Sequence, residues 1–209
     1  MSLKKLIALS VSLVILMLTF VGCGATSAED VINSVTMPTT YSIEYEIESE
    51  GIIKTMKKTV DEEGNIYFLS NETEVLFIKK GSNYSLYERN EEGVFSESNK
   101  TQSYNLSYIN EYTSEFTEYA EYTKKQFLPT AKNKGTVTYA DRECVVYEIN
   151  VGFSGTGVTY EIYSDSSTGI CMYYNSHMSA FGINLPSDDI SFKCTSFETK
   201  NIDLLTSII

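Results

Sequence analysis

The sequence predicts a mainly β, α+β fold: an antiparallel sheet with a short N-terminal helix and one central amphipathic helix. Three observations predict it. The stretch "YSIEYEIESEG" (41–51) sets Tyr41, Ile43, Tyr45 and Ile47 on one side and Ser42, Glu44, Glu46 and Glu48 on the other, the period of two of a strand with one dry face. Short runs of the same kind follow in quick succession, separated by Gly-, Asn- and Glu-rich turns. Between residues 107 and 127 the apolar spacing changes to three and four.

The N-terminus comes first in order. Lys4 and Lys5 precede an apolar run from Leu6 to Val21, which closes on "TFVGCG". A basic start, a run short for a membrane span and small residues at its end describe a secretory signal. With Cys23 directly after Val21-Gly22 it resembles a bacterial lipoprotein signal, cleaved before Cys23 and carrying lipid (palmitate-type acyl chains) on that sulfur. This predicts a signal peptide over 1–22, a lipidated tether over 23–27 and a single domain over 28–209. The protein is then expected on the outer face of the cell membrane, held by its lipid.

Without residues 1–22 the chain retains 187 residues, with 14 basic against 28 acidic side chains, a net charge of −14. That length suffices for one domain with a core. Such acidity argues against nucleic acid and against lying flat on anionic lipid.

"SAEDVINSV" reads as the short helix: Ser27 caps it, Asp30 follows three residues on, Val31, Ile32 and Val35 form its stripe, and Pro38 stops it. Strands are placed at 41–49, 52–60, 66–70, 75–80, 84–89 and 94–98, an antiparallel meander. Asn71, Asn83, Asn99 and Asn105 stand in N-x-S/T sequons and read as turn residues. In the central helix Ile109, Tyr112, Phe116, Tyr119, Thr123 and Phe127 share a face. Glu111, Glu115, Glu118 and Glu121 oppose them, Lys124 and Lys125 close the last turn, and Pro129 ends it. Strands resume at 136–139, 144–151, 158–165, 169–176 and 190–197. Between the last two, "HMSAFGINLPSDD" reads as a loop with four large apolar residues, Met178, Phe181, Ile183 and Leu185, which need a partner.

The chemistry that the residues offer is sparse. His177 is the one histidine and stands far from any G-x-S-x-G, so a Ser-His-acid triad is not expected. "GFSGTG" has no following Lys-Ser/Thr and reads as a hairpin loop, and "DSSTG" reads as a tight turn rather than a calcium loop. Cys144, Cys171 and Cys194 remain after Cys23, with no C-x-x-C, which argues against structural zinc. Setting Ser176 near Ile190 brings position 171 opposite 194 or 195, making Cys171–Cys194 the candidate disulfide in an oxidising compartment. The alternative is three buried free thiols. No enzyme, metal or cofactor is expected.

The order of these elements resembles the LolA-like superfamily of lipoprotein carriers and related Gram-positive lipoproteins. The resemblance runs over residues 27–200, through "SAEDVINSVTMPTTYSIEYEIESEG", "GTVTYADRECVVYEI", "TYEIYSDSSTGICMYY" and "ISFKCTSFET". It implies a strongly curved antiparallel sheet, a half-barrel, with helices on the concave face. It also implies a lipid or other hydrophobic ligand held there. The expected cavity is bounded by Tyr45 and Ile47 of the sheet and by Tyr112, Phe116 and Tyr119 of the helix. Tyr160, Ile162 and Met172 continue its wall, and Met178 and Phe181 form the mouth. The alternative is a cell-surface interaction or sensory module that fills its own core.

Overall fold

The structure is a computed structural model that describes residues 35–71, 73–90, 92–122, 131–153, 156–180, 183–185, 190–200 and 202–204. Its strands in chain order are β1 (Tyr41–Ser49), β2 (Ile52–Val60), β3 (Ile66–Ser70), β4 (Thr73–Lys80), β5 (Asn83–Arg89) and β6 (Phe95–Glu97). Two helices follow, α1 (Leu106–Tyr112) and α2 (Ser114–Ala120). Then come β7 (Lys132–Tyr139), β8 (Arg142–Phe153), β9 (Thr156–Asp165), β10 (Cys171–Ala180), β11 (Ile183–Leu185) and β12 (Ser191–Glu198).

All twelve strands belong to one antiparallel sheet in the order β6-β5-β4-β3-β2-β1-β12-β10-β9-β8-β7, with β11 paired to β10. Two meanders, β1 to β6 and β7 to β10, are joined through β12. That strand pairs with β1 from Ser42↔Glu198 to Glu48↔Ser191, and with β10 at Tyr173↔Lys193 and Tyr174↔Phe192.

The first strand shows why the chain folds this way. Tyr41, Ile43, Tyr45 and Ile47 are buried, while Glu44 pairs with Lys57 and Glu46 with Lys193 of the flanking strands. Cross-strand pairs of opposite charge thus cover the wet face. Glu50 and Gly51 turn the chain into β2, both at positive φ (52° and 75°), the twist that a two-residue hairpin needs. On the dry face the core runs from Phe68 and Phe77 through Tyr45 and Phe192 to Tyr147 and Ile162. The opposite face of β3 and β4 carries a smaller cluster, Tyr67 and Leu76 packed with Leu204.

The expected fold class needs correction. The sheet is a single open one ending in β6 and β7, not a half-barrel, and the protein is mostly β. Among the described residues the central helix is two short helices that break at Thr113, and its expected continuation through Thr123 and Phe127 lies outside them. Thr113 is fully buried, and its Oγ1 donates to Ile109 O, four residues back, at 2.9 Å. Bonding of that kind competes with the helical ladder and bends the chain. The segment 178–185, expected as a loop, extends β10 to Ala180 and returns as β11. Of the expected N-terminal helix over 27–35, all but Val35 lies outside the described residues. Thr36 N–H donates to Thr168 O and Val35 packs on the core.

Candidate functional site

The space between the sheet and the helices is occupied by the chain's own rings. Tyr45 on β1 meets Phe116 of α2 at 5.6 Å between ring centres and Phe192 of β12 at 5.7 Å. Tyr119 and Tyr122 close on Phe192 at 5.1 and 5.3 Å, and Tyr122 lies 4.3 Å from Tyr174. Tilted and edge-on contacts at these spacings are the favourable ones for aromatic pairs. The phenol of Tyr45 donates to Cys171 O at 2.8 Å, so its polar tip is satisfied inside the core. Burial pushes its ionisation far above the usual tyrosine range.

Of the residues expected around a cavity, Tyr45, Phe116 and Met172 are 0% exposed, Ile162 1% and Ile47 3%. They pack in one cluster, with Tyr119 and Tyr160 half-buried at its margin. Tyr112 stands apart, 36% exposed, with its ring against Phe68 and Phe77. Met178 is 41% exposed on β10, and Phe181 lies outside the described residues.

Met178 belongs to a different feature. Pairing across the far end of the sheet runs Val151↔Val158↔Met178↔Leu185, with Ala180↔Ile183 beside it. Alternation puts Val151 on the same face as buried Tyr147 and Ile149. The core face of β8 to β11 therefore continues past the helices, where Val151 is 43% and Ile183 64% exposed.

The three cysteines are free and buried. The Cys171 Sγ–H points to Tyr173 O and that of Cys194 to Ser196 O. Extending the Tyr173↔Lys193 pairing sets residue 171 opposite 195, and each strand is bulged there, β10 between Cys171 and Tyr173 and β12 at Thr195. Burial pushes Cys144 up to about 11 and Cys194 up to about 12, and Cys171 up as well. All three are held as thiols, the form that neither attacks disulfides nor binds metal.

Clefts lined wholly by described residues lie elsewhere. One follows Asp141, Arg142, Glu143 and the Asp165–Ser167 turn. The Asp165 carboxylate accepts from Arg142 Nε (2.6 Å) and from the N–H of Ser167 and Thr168 (3.2 and 2.8 Å), so "DSSTG" is a turn locked by its own first residue. A second cleft of about 500 Å³ opens beside Lys58, between β2 and the helix pair. Lys58 escaped the reading of the sequence because lysine in a strand normally marks the wet face. Alternation with Met56 and Val60 was the signal that it points inward.

Comparison with known proteins adds little to this geometry. No protein-family model matches the chain, and no curated protein does. Among solved structures it is similar to the crystal structure of MucB, at 14% identity over 89% of this chain and 63% of that one, with a TM-score of 0.43. It is also similar to the complex structure of Pseudomonas aeruginosa MucA/MucB, at 14% identity, 87% and 60% coverage and a TM-score of 0.42. The crystal structure of MucB in complex with MucA(peri) matches at 15% identity, 82% and 55% coverage and a TM-score of 0.40. The chain thus spans 55% to 63% of the length of these structures. Likenesses of this grade carry no argument about what it does.

Proposed function

We propose that this protein is an interaction module of the cell surface, tethered to the membrane through lipid on Cys23, with a core filled by its own side chains. The observation that carries this reading is the packing of Tyr45, Ile47, Phe116, Ile162 and Met172 against one another. Each is at most 3% exposed. A carrier of acyl chains needs an apolar surface that a ligand can reach, and these residues offer none. Among the exposed apolar residues, Val151, Met178 and Ile183 stand together at one end of the sheet, on strands that pair side by side. Apolar groups clustered on a strongly acidic chain suit a protein partner whose docking segment is apolar and basic.

The test is direct. Protein released by removing residues 1–27 is titrated with a fluorescent fatty-acid probe, and a photo-crosslinking residue at Val151 is activated on intact cells. No saturable fatty-acid binding is expected, together with a single protein adduct that Ile183→Glu removes. Saturable binding that Phe116→Glu abolishes, in a variant still folded by circular dichroism, would restore the ligand carrier.

A further inference from the structure

Lys58 is the buried cation among the described residues. It is 6% exposed, its Nζ donates to Thr113 Oγ1 at 2.8 Å, and it lies 5.8 Å from the centre of the Phe116 ring. Thr113 takes one of its three N–H donors, and no carboxylate pairs with it among the described residues. An ammonium withdrawn from water is costly unless an anion and a full set of hydrogen bonds accompany it. Burial accordingly pushes this group down to about 8.

The space beside it is larger than solvation of one amine requires. The cleft holds about 500 Å³, within the range of small-molecule sites, whereas a water takes up about 30 Å³. Met37 and Tyr41 give it apolar walls, and Asn110, Ser114 and Thr117 supply hydrogen-bonding groups. Lys58 lies at its buried side, while Glu118 is exposed and Glu121 half-buried at its outer side. Lys58 thus presents its charge at the buried side of the cleft. A single carboxylate on a short apolar body can meet Lys58 there, with Met37 and Tyr41 beside its apolar part.

We propose that this cleft binds a small organic monocarboxylate, its oxygens taking the N–H donors of Lys58 that Thr113 leaves open. A charge-assisted bond of this kind is roughly twice as strong as a neutral one. Two sources share the chemistry, a simple aliphatic acid and a free amino acid, whose ammonium would face the acidic outer side. The proposal is independent of the interaction surface at the other end of the sheet.

The experiment uses the full chain in detergent micelles and three probes: 4-methylpentanoate, L-leucine and the uncharged 4-methylpentanamide. Binding is followed by saturation-transfer NMR, and acetylation of Lys58 by acetic anhydride is followed by peptide mass spectrometry. At least one carboxylate is expected to bind saturably and to slow Lys58 acetylation about tenfold, while the amide does neither. Lys58→Met should weaken binding by about tenfold or more. Tighter binding of leucine assigns the site to amino acids, and tighter binding of 4-methylpentanoate to simple acids. Failure of both carboxylates to protect wild-type Lys58, or equal protection by the amide, overturns the proposal whether or not the variant folds.

Discussion

Asp165 shows how much one side chain can settle. Burial alone would raise its carboxyl, but hydrogen bonds from Arg142, Ser167 and Thr168 outweigh that and hold it at about 2, against an ordinary 3.8. A carboxylate depressed in the folded state stabilises above the unfolded value, and the contribution is lost as pH falls through the folded one. For a shift of this size it amounts to about 2 kcal/mol, present above about pH 4 and gone near pH 2. Asp165→Asn should therefore lower urea stability at pH 7 by about 2 kcal/mol, and the gap from wild type should close between about pH 4 and 2. A gap of constant size across that range would show that Asp165 acts only as a turn former. This residue was legible in the sequence, since Asp followed by Ser-Ser-Thr-Gly is local turn chemistry. For Lys58 alternation could give the inward face but not the partner, because Thr113 stands 55 residues away and no local pattern joins them.

At the scale of elements the strands were legible almost throughout. The expected 41–49, 52–60 and 66–70 are the observed β1, β2 and β3. Alternation reports the local backbone and needs no knowledge of partners. The helix break was hidden because the apolar stripe runs straight through it: Ile109, Phe116 and Ala120 are buried on one side despite the interruption. The Thr113 Oγ1 that donates to Ile109 O at the break also accepts from Lys58, a contact no local pattern announces. Thr113→Val would strand the ammonium and is expected to cost about 2–3 kcal/mol in thermal or urea unfolding. The double variant with Lys58→Met should recover much of that loss, because it removes the orphaned charge as well. Strictly additive costs would mean that the two side chains do not act as a pair. The 178–185 segment was misread for a related reason. Met178 and Ile183 lie on an exposed extension of the core face, where pattern and burial disagree.

For the whole molecule, the sequence specified a meander, a helical crossing and a second meander, but not how the halves meet. The assumed register of β10 against β12 agrees with Tyr173↔Lys193, yet the pairing of β12 with β1 on its other side has no local sign. The half-barrel came from resemblance rather than from residues, and the open sheet replaces it. The tether belongs to this scale too. Acyl chains contribute about 0.8 kcal/mol per buried methylene, so two or more hold a protein on a bilayer almost permanently. Cys23→Ala should lose labelling by a clickable palmitate analogue and leave the membrane fraction, and unchanged labelling would exclude Cys23 as the acceptor. The position of β12 reaches further, into folding. Among the described residues, 191–198 form the only strand that binds both meanders together, and it follows both in the chain. A chain that stops short of Ser191 holds two partial sheets, with β1 and β10 each presenting an unpaired edge, the usual template for aggregation. Truncation before Ser191 is therefore expected to give aggregates, and a soluble, folded product would show that the two meanders hold together without β12.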